Sequence, residues 1–184
     1  GEMIAIDQEG GPVTRLSADS VNVPGAMAVA AAGGPELARR AGQLTGRQLR
    51  SLGVNFDFAP DMDVNCNPDN PAIGVRSYGD TPEQVIAYGT EMLRGLQESR
   101  VLACAKHFPG YGDLDLDPHL SLPKVTKPLE QLERVELLPF ARAVEAEVAS
   151  IMTAHVIFPA LEPEEIPATM SRRIITGMLR ERMG

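Results

Sequence analysis

The chain has no tryptophan, and Phe, Trp and Tyr together make up only 4% of its 184 residues. Sugar sites often stack rings on aromatic faces. The scarcity therefore argues against a long polysaccharide groove, and less against a pocket for one sugar. Cysteine is limited to Cys66 and Cys104, too few for a disulfide framework or a zinc set. Both read as ordinary small residues, one in a loop and one in a strand. No basic run occurs, and the formal net charge is -8. A nucleic-acid partner is not expected on such a surface. No apolar run is long enough to cross a membrane and no signal-peptide pattern is present. The opening residues lead almost directly into an apolar run, so no compartment is read from them.

What is present is a globular balance, 43% hydrophobic and 23% charged, enough for one ordinary domain. Short apolar runs alternate with longer amphipathic stretches. Residues 3–6, 54–58, 101–105 and 150–154 read as strands. A helix is predicted over 35–52. Pro35 suits a first helical position, Gly53 a left-handed cap, and Leu37, Ala41, Leu44, Gln48 and Leu52 share one face. Thr81-Pro82-Glu83-Gln84 opens a second helix that runs to about Ser99. From Pro128 the chain is helical again, with a kink or break at Pro139. Ser171 caps a last helix.

Four strand–helix units in succession predict a parallel α/β sheet. Polar residues follow each strand, at Asp7, Asp61, Lys106-His107 and His155. That is the layout of a (β/α)8 TIM-type barrel, with its site at the strand C-termini and about half of it present. An open doubly wound sheet is the rival, but no Gly-rich phosphate loop follows the first strand. The loop over 59–80 carries Asp61, Asp63, Asn65, Asn67, Asp69 and Asn70. Oxygen ligands at alternate positions suit calcium, yet the glycine and terminal glutamate of an EF-hand are missing. Turn chemistry by Asn and Asp is the preferred reading.

The densest chemistry lies in residues 106–123. Two His, one Lys and three Asp sit in a stretch framed by Pro109, Gly110, Gly112 and Pro118. Asp117 and His119 flank Pro118, which limits the backbone between them. A carboxylate beside an imidazole fixes its tautomer and raises its basicity. An imidazole titrates near working pH and exchanges protons without large tuning. Asp113 and Asp115 read as loop-capping or solvated groups.

Lys106-His107-Phe108-Pro109-Gly110-x-Gly112-Asp113, followed by Asp117-x-His119 and Leu122-Pro123, resembles the signature of the β-N-acetylglucosaminidases of glycoside hydrolase family 3. Asp7-Gln8-Glu9-Gly10-Gly11 and the Asn-Pro-x-Ile-Gly-x-Arg-Ser-Tyr-Gly run over 70–79 resemble the same family. The resemblance covers almost the whole chain. It implies a retaining exo-glycosidase that releases terminal β-N-acetylglucosamine from cell-wall or chitin-type oligosaccharides. His119 would be the acid/base and Asp117 its orienting partner. Asp7, Arg15, Arg76, Lys106 and His107 would hold the sugar. The partner implied is a small carbohydrate, with no cofactor and no metal.

Three positions depart from the family pattern: Pro12 stands where an Arg is usual, Tyr111 where a second His is usual, and Pro118 where a Ser is usual. The resemblance begins at what would be the second barrel strand. It places the nucleophilic Asp past Gly184, after the helix that follows Ser171. Asp57, Asp61 and Asp63 are nucleophile candidates on chemistry alone, and the resemblance argues against them. The segment by itself is then expected to be inactive, and to pair with a copy of itself or with the missing half. A β-glucosidase-like hydrolase of the same family and an inactive sugar-binding relative are the alternatives. Water and phosphate both fit as acceptor.

Overall fold

The computed structural model describes residues 1–114 and 122–184. Its strands are β1 (Ala5–Ile6), β2 (Phe56–Asp57), β3 (Leu102–Phe108) and β4 (Ser150–Thr153). They lie in the order β1-β2-β3-β4, every neighbouring pair parallel. Sequential neighbours in one direction are what successive βα units give when the winding never reverses. A doubly wound sheet needs a reversal of strand order, and none occurs among the described strands. This α/β arrangement is that of a partial TIM-type barrel.

The helices are α1 (Ala26–Ala32), α2 (Glu36–Ser51), α3 (Pro82–Glu98), α4 (Leu129–Arg134) and α5 (Leu138–Glu145). Thr81 caps α3 through its hydroxyl, which accepts from the Gln84 N–H, and Pro82 takes the first position. Pro139 sits in the first turn of α5, so the stretch from Pro128 is split into two short helices rather than kinked. The chain ends in a helix over Arg173–Arg182 wound in the wider π form. Ser171 serves its start: its hydroxyl accepts from the Ile174 N–H at 3.1 Å.

Helices α2 and α3 pack backbone to backbone. A Cβ on Gly95 would lie 2.2 Å from the Arg39 carbonyl oxygen, and one on Gly42 would lie 2.4 Å from that of Met92. Glycine is required at this crossing because any side chain would push the helices apart. The core runs between the helices and the sheet. Leu93 and Leu96 of α3 and Ala103, Ala105 and Phe108 of β3 are fully buried. Phe108 meets Phe140 of α5 edge-to-face at 5.4 Å. Among the described residues, no helix is long and apolar enough to cross a membrane.

Candidate active site

Strand β1 ends at Ile6 and delivers Asp7, Gln8 and Glu9 to its C-terminal mouth. A tight turn follows, in which the Gly10 and Val13 backbones bond each other at 3.1 and 3.2 Å. Gly11 has φ of 56° and lies against Gly25, leaving no room for a Cβ. Gln8 is buried, and its Oε1 accepts from the backbone N–H of Arg15 at 2.8 Å and of Leu16 at 3.3 Å. That side chain thus holds the turn from which Arg15 projects. The Gln8 N–H in turn donates to Asp57 Oδ1 on β2 at 2.9 Å.

Strand β3 runs further than its apolar residues. Lys106 and His107 lie inside it, whereas the sequence placed them in the loop after Ala105. The sheet tolerates them because each finds a charged or polar partner. Lys106 is 2% exposed. Its Nζ donates to Asp7 Oδ1 at 2.8 Å and lies 2.7 Å from Glu9 Oε1. Arg76 grips the same Glu9 with two bonds, Nε to Oε2 at 2.9 Å and a terminal nitrogen to Oε1 at 2.7 Å. Burial works to raise the Glu9 carboxyl, but Arg76 and Lys106 hold it below its ordinary value. Burial likewise works against the Lys106 ammonium, and Glu9 and Asp7 keep it charged. An ammonium has three donors. Among the described residues, Asp7 and Glu9 engage two of those on Lys106.

A second array supports His107. Its Nδ1 lies 2.7 Å from Asp63 Oδ2, which also accepts the His107 backbone N–H at 3.2 Å. The other oxygen of Asp63 accepts from the Tyr111 N–H at 2.8 Å. The His107 and Tyr111 rings sit 4.6 Å apart. Burial pushes the imidazole down to about 4, so it is neutral near pH 7. Burial also pushes the Asp63 carboxyl up to about 6. Asp61 is raised well above its ordinary value, first by burial and then by Asp63 beside it.

Asp61, Asp63 and His107 bring one ligand atom each within 4.8 Å of one another, a spacing that suits a small cation. Arg76 lies 3.6 Å from Asp61 Oδ2 and already supplies positive charge there. The trio is tied by hydrogen bonds from the Asp63 N–H to Asp61 Oδ1 and between Asp63 and His107, while Asp61 Oδ2 has no hydrogen-bond partner among the described residues. In the loop over 59–80, Asn67 and Asn70 do make side-chain turns, accepting from the N–H groups of Asp69, Ala72 and Ile73.

These arrays surround one cavity of about 470 Å³. Asp7, Arg15, Arg76, Lys106 and His107 all line it, although they are scattered over residues 7–107. Glu9 joins them on the polar wall, and Val13, Phe58 and Met152 form an apolar one. Glu9 and Gln8 were missed in the sequence, which read them only as a turn after β1. An acidic residue three positions past a strand end and directly before two glycines was the available signal. His155 is exposed at the rim and bonds Thr169 Oγ1 at 2.8 Å. Asp57, Asp61 and Asp63 do not line the cavity, so none is placed to attack a ligand in it. Asp117 and His119 lie outside the described residues.

A carboxylate acceptor, two kinds of cationic donor and a neutral imidazole around one small space suit a ligand rich in hydroxyl groups. Two other cavities, about 350 Å³ against α1 and α2 and about 620 Å³ beside β4 and α5, gather no such set.

A family model described as the N-terminal domain of glycosyl hydrolase family 3 matches residues 2–184. The chain is 39% identical over 196 aligned positions to β-hexosaminidase A of Pseudoalteromonas piscicida, covering 98% of this chain and 33% of that protein. It is similar to a solved glycoside hydrolase family 3 β-N-acetylglucosaminidase from Paenibacillus sp. str. FPU-7, with TM-score 0.97 and 53% identity over 99% of this chain and 35% of that one. NagZ from Neisseria gonorrhoeae, in complex with N-trifluoroacetyl-D-glucosamine, is similar with TM-score 0.91 and 30% identity, over 99% of this chain and 55% of that one. The chain thus spans about a third to about half of these relatives.

Proposed function

The chain belongs to glycoside hydrolase family 3, within its N-terminal domain, and from that premise we propose that it forms part of a retaining exo-glycosidase for terminal β-N-acetylglucosamine. The observation that carries this reading is the convergence of Asp7, Arg15, Arg76, Lys106 and His107 on one cavity. Its volume fits a single sugar ring rather than a long chain, in keeping with an exo-acting enzyme and with the few aromatic residues. The names of the relatives, β-hexosaminidase and β-N-acetylglucosaminidase, support the N-acetyl preference. The sugar bound by NagZ supports assigning this cavity to a glucosamine derivative. Cell-wall fragments and chitin oligosaccharides are the substrate classes.

In this reading a carboxylate on a later part of the protein attacks the anomeric carbon. His119 gives its proton to the departing glycosidic oxygen, and Asp117 stabilises the imidazolium that had carried it. His119 then takes a proton from the water that cleaves the covalent glycosyl-enzyme. Asp7, Arg76, Lys106 and His107 hold the ring hydroxyls while charge develops at the anomeric carbon.

The test compares nitrophenol release from a nitrophenyl β-N-acetylglucosaminide and the matching glucoside by the full-length protein. The expected result is a preference of about 100-fold or more for the N-acetyl sugar. A preference for the glucoside would contradict the reading. Binding without any release would point to an inactive sugar-binding relative.

A further inference from the structure

Tyr111 stands three residues past the end of β3, outside the five polar residues assigned to the sugar. Both polar groups of its backbone are engaged. Its N–H donates to Asp63 Oδ1 at 2.8 Å, and its carbonyl accepts from Asn70 Nδ2 at 2.9 Å and from the Leu114 N–H at 3.2 Å. The Gly110 N–H returns to the His107 carbonyl at 2.8 Å, so the chain from His107 to Tyr111 is a closed turn. The glycines on either side of Tyr111 leave it no room to shift. Gly110 has φ of 110° and lies against Glu136, and a Cβ on Gly112 would run into the Val64 carbonyl oxygen.

These constraints aim one ring. The Tyr111 side chain lines the sugar cavity from a buried position. Its ring lies 4.6 Å from that of His107, with 31° between their planes. Asp63 joins the two residues: Oδ2 meets His107 Nδ1, and Oδ1 takes the Tyr111 N–H. The hydrogen bond at Nδ1 decides which edge of the imidazole faces Asp63, but its angular tolerance lets the ring plane rock. A flat ring laid on the face of the imidazole removes that freedom. Burial, with Asp63 and Asp61 behind it, pushes the Tyr111 hydroxyl well above its ordinary value. His107 is neutral near pH 7 as well, so the contact joins two uncharged rings.

We propose that Tyr111 is a positioning residue for sugar recognition: its ring, aimed by Asp63, Asn70 and the two flanking glycines, holds the His107 imidazole in the plane from which its second nitrogen meets a sugar hydroxyl. This rests on the reading of the cavity as a sugar site in which His107 takes part. An aliphatic side chain could fill the same space, but it would offer the imidazole no flat face. The cost of losing the ring should therefore depend on His107 being present.

The experiment is a double-mutant cycle in the full-length enzyme, read as kcat/KM on a nitrophenyl N-acetylglucosaminide. Tyr111→Leu should lower kcat/KM by about 10-fold, because small misplacements of a binding group are costly. Tyr111→Phe keeps the ring and should stay within about 3-fold of the parent. In a His107→Gln background, Tyr111→Leu should cost less than about 3-fold, since the group it acts through is gone. Thermal unfolding shows which variants fold. Tyr111→Met, which refills the space without a flat face, takes the place of Tyr111→Leu in the cycle if the latter does not fold. The same loss in both backgrounds would overturn the proposal, because a merely structural role costs as much without His107 as with it. So would a Tyr111→Phe variant as impaired as Tyr111→Leu, or a Tyr111→Leu variant within about 2-fold of the parent. If His107→Gln is impaired and the cycle is additive, the proposal alone falls. If His107→Gln turns over the substrate like the parent, the role of His107 in the sugar site falls and takes the proposal with it.

Discussion

Asp63 accepts from His107 Nδ1 at 2.7 Å from a fully buried position, and so decides which nitrogen of that imidazole is free. With Nδ1 bearing the proton, Nε2 is an acceptor on a ring that lines the cavity. Asp63→Asn places an amide donor opposite Nδ1 and favours the other tautomer, which has a proton on Nε2. The expected outcome is a fall of about 10- to 100-fold in kcat/KM, the size of one lost charge-assisted hydrogen bond to the substrate. Steady-state kinetics on the nitrophenyl N-acetylglucosaminide check it.

Glu9 is the counter-ion shared by Lys106 and Arg76. Glu9→Gln removes that charge while Lys106, at 2% exposed, keeps Asp7 alone among the described residues as an anionic partner at hydrogen-bonding distance. Breaking a buried pair on one side is strongly destabilising. A loss of roughly 3 kcal/mol in unfolding free energy is expected, together with a fall in kcat/KM of about 100-fold or more. Chemical denaturation and kinetics on the same preparation measure both.

The strand–helix alternation was legible because each strand is a compact apolar run and α2 and α3 carry their start signals, Pro35 and Thr81-Pro82. Five of the residues that line the cavity were legible through the family motifs and their places at strand mouths. The end of β3 was not. Lys106 and His107 look like loop residues until Glu9, Asp7 and Asp63 are seen to offer them partners, and those come from distant parts of the chain. Helix α1 was overlooked because Ala26–Ala32 is short, nearly featureless and follows a run containing Pro24 and Gly25. The split of the helical region was half legible, since Pro139 announced an interruption but not whether it would bend or divide the helix. The π winding of Arg173–Arg182 has no sequence signal that we recognise.

Asp57 gives a pH prediction. Burial pushes its carboxyl up to about 8, from an ordinary value of 3.8. Between those values the folded protein holds a proton that the unfolded chain has released. Stability therefore falls as pH rises from about 4 to about 8, and the loss levels off above. Asp61 and Asp63 act in the same direction, and the depressed His107 acts in the opposite one, so only a difference isolates Asp57. Asp57→Asn should gain on the parent by about 1 kcal/mol or more between pH 5 and pH 8. Denaturation curves of both proteins across that range check the sign.

Strands β1 and β4 are the edges of the described sheet, each with one neighbour. Edge strands of a parallel sheet present unpaired backbone groups. Residues 1–184 expressed alone should self-associate or aggregate, and should release no nitrophenol at enzyme-like rates. Light scattering and the same assay check this. An active monomer would require a nucleophile among the carboxylates already named.

The central claim is that one cavity, walled by Asp7, Arg15, Arg76, Lys106 and His107, binds the terminal N-acetylglucosamine. Calorimetric titration of the full-length protein with N-acetylglucosamine, beside the Lys106→Met variant, tests it most directly. The account predicts one site per chain, weaker binding of glucose, and a loss of about 10-fold or more in affinity when the Lys106 ammonium is removed. Equal affinity in parent and variant, with the variant folded, would contradict it.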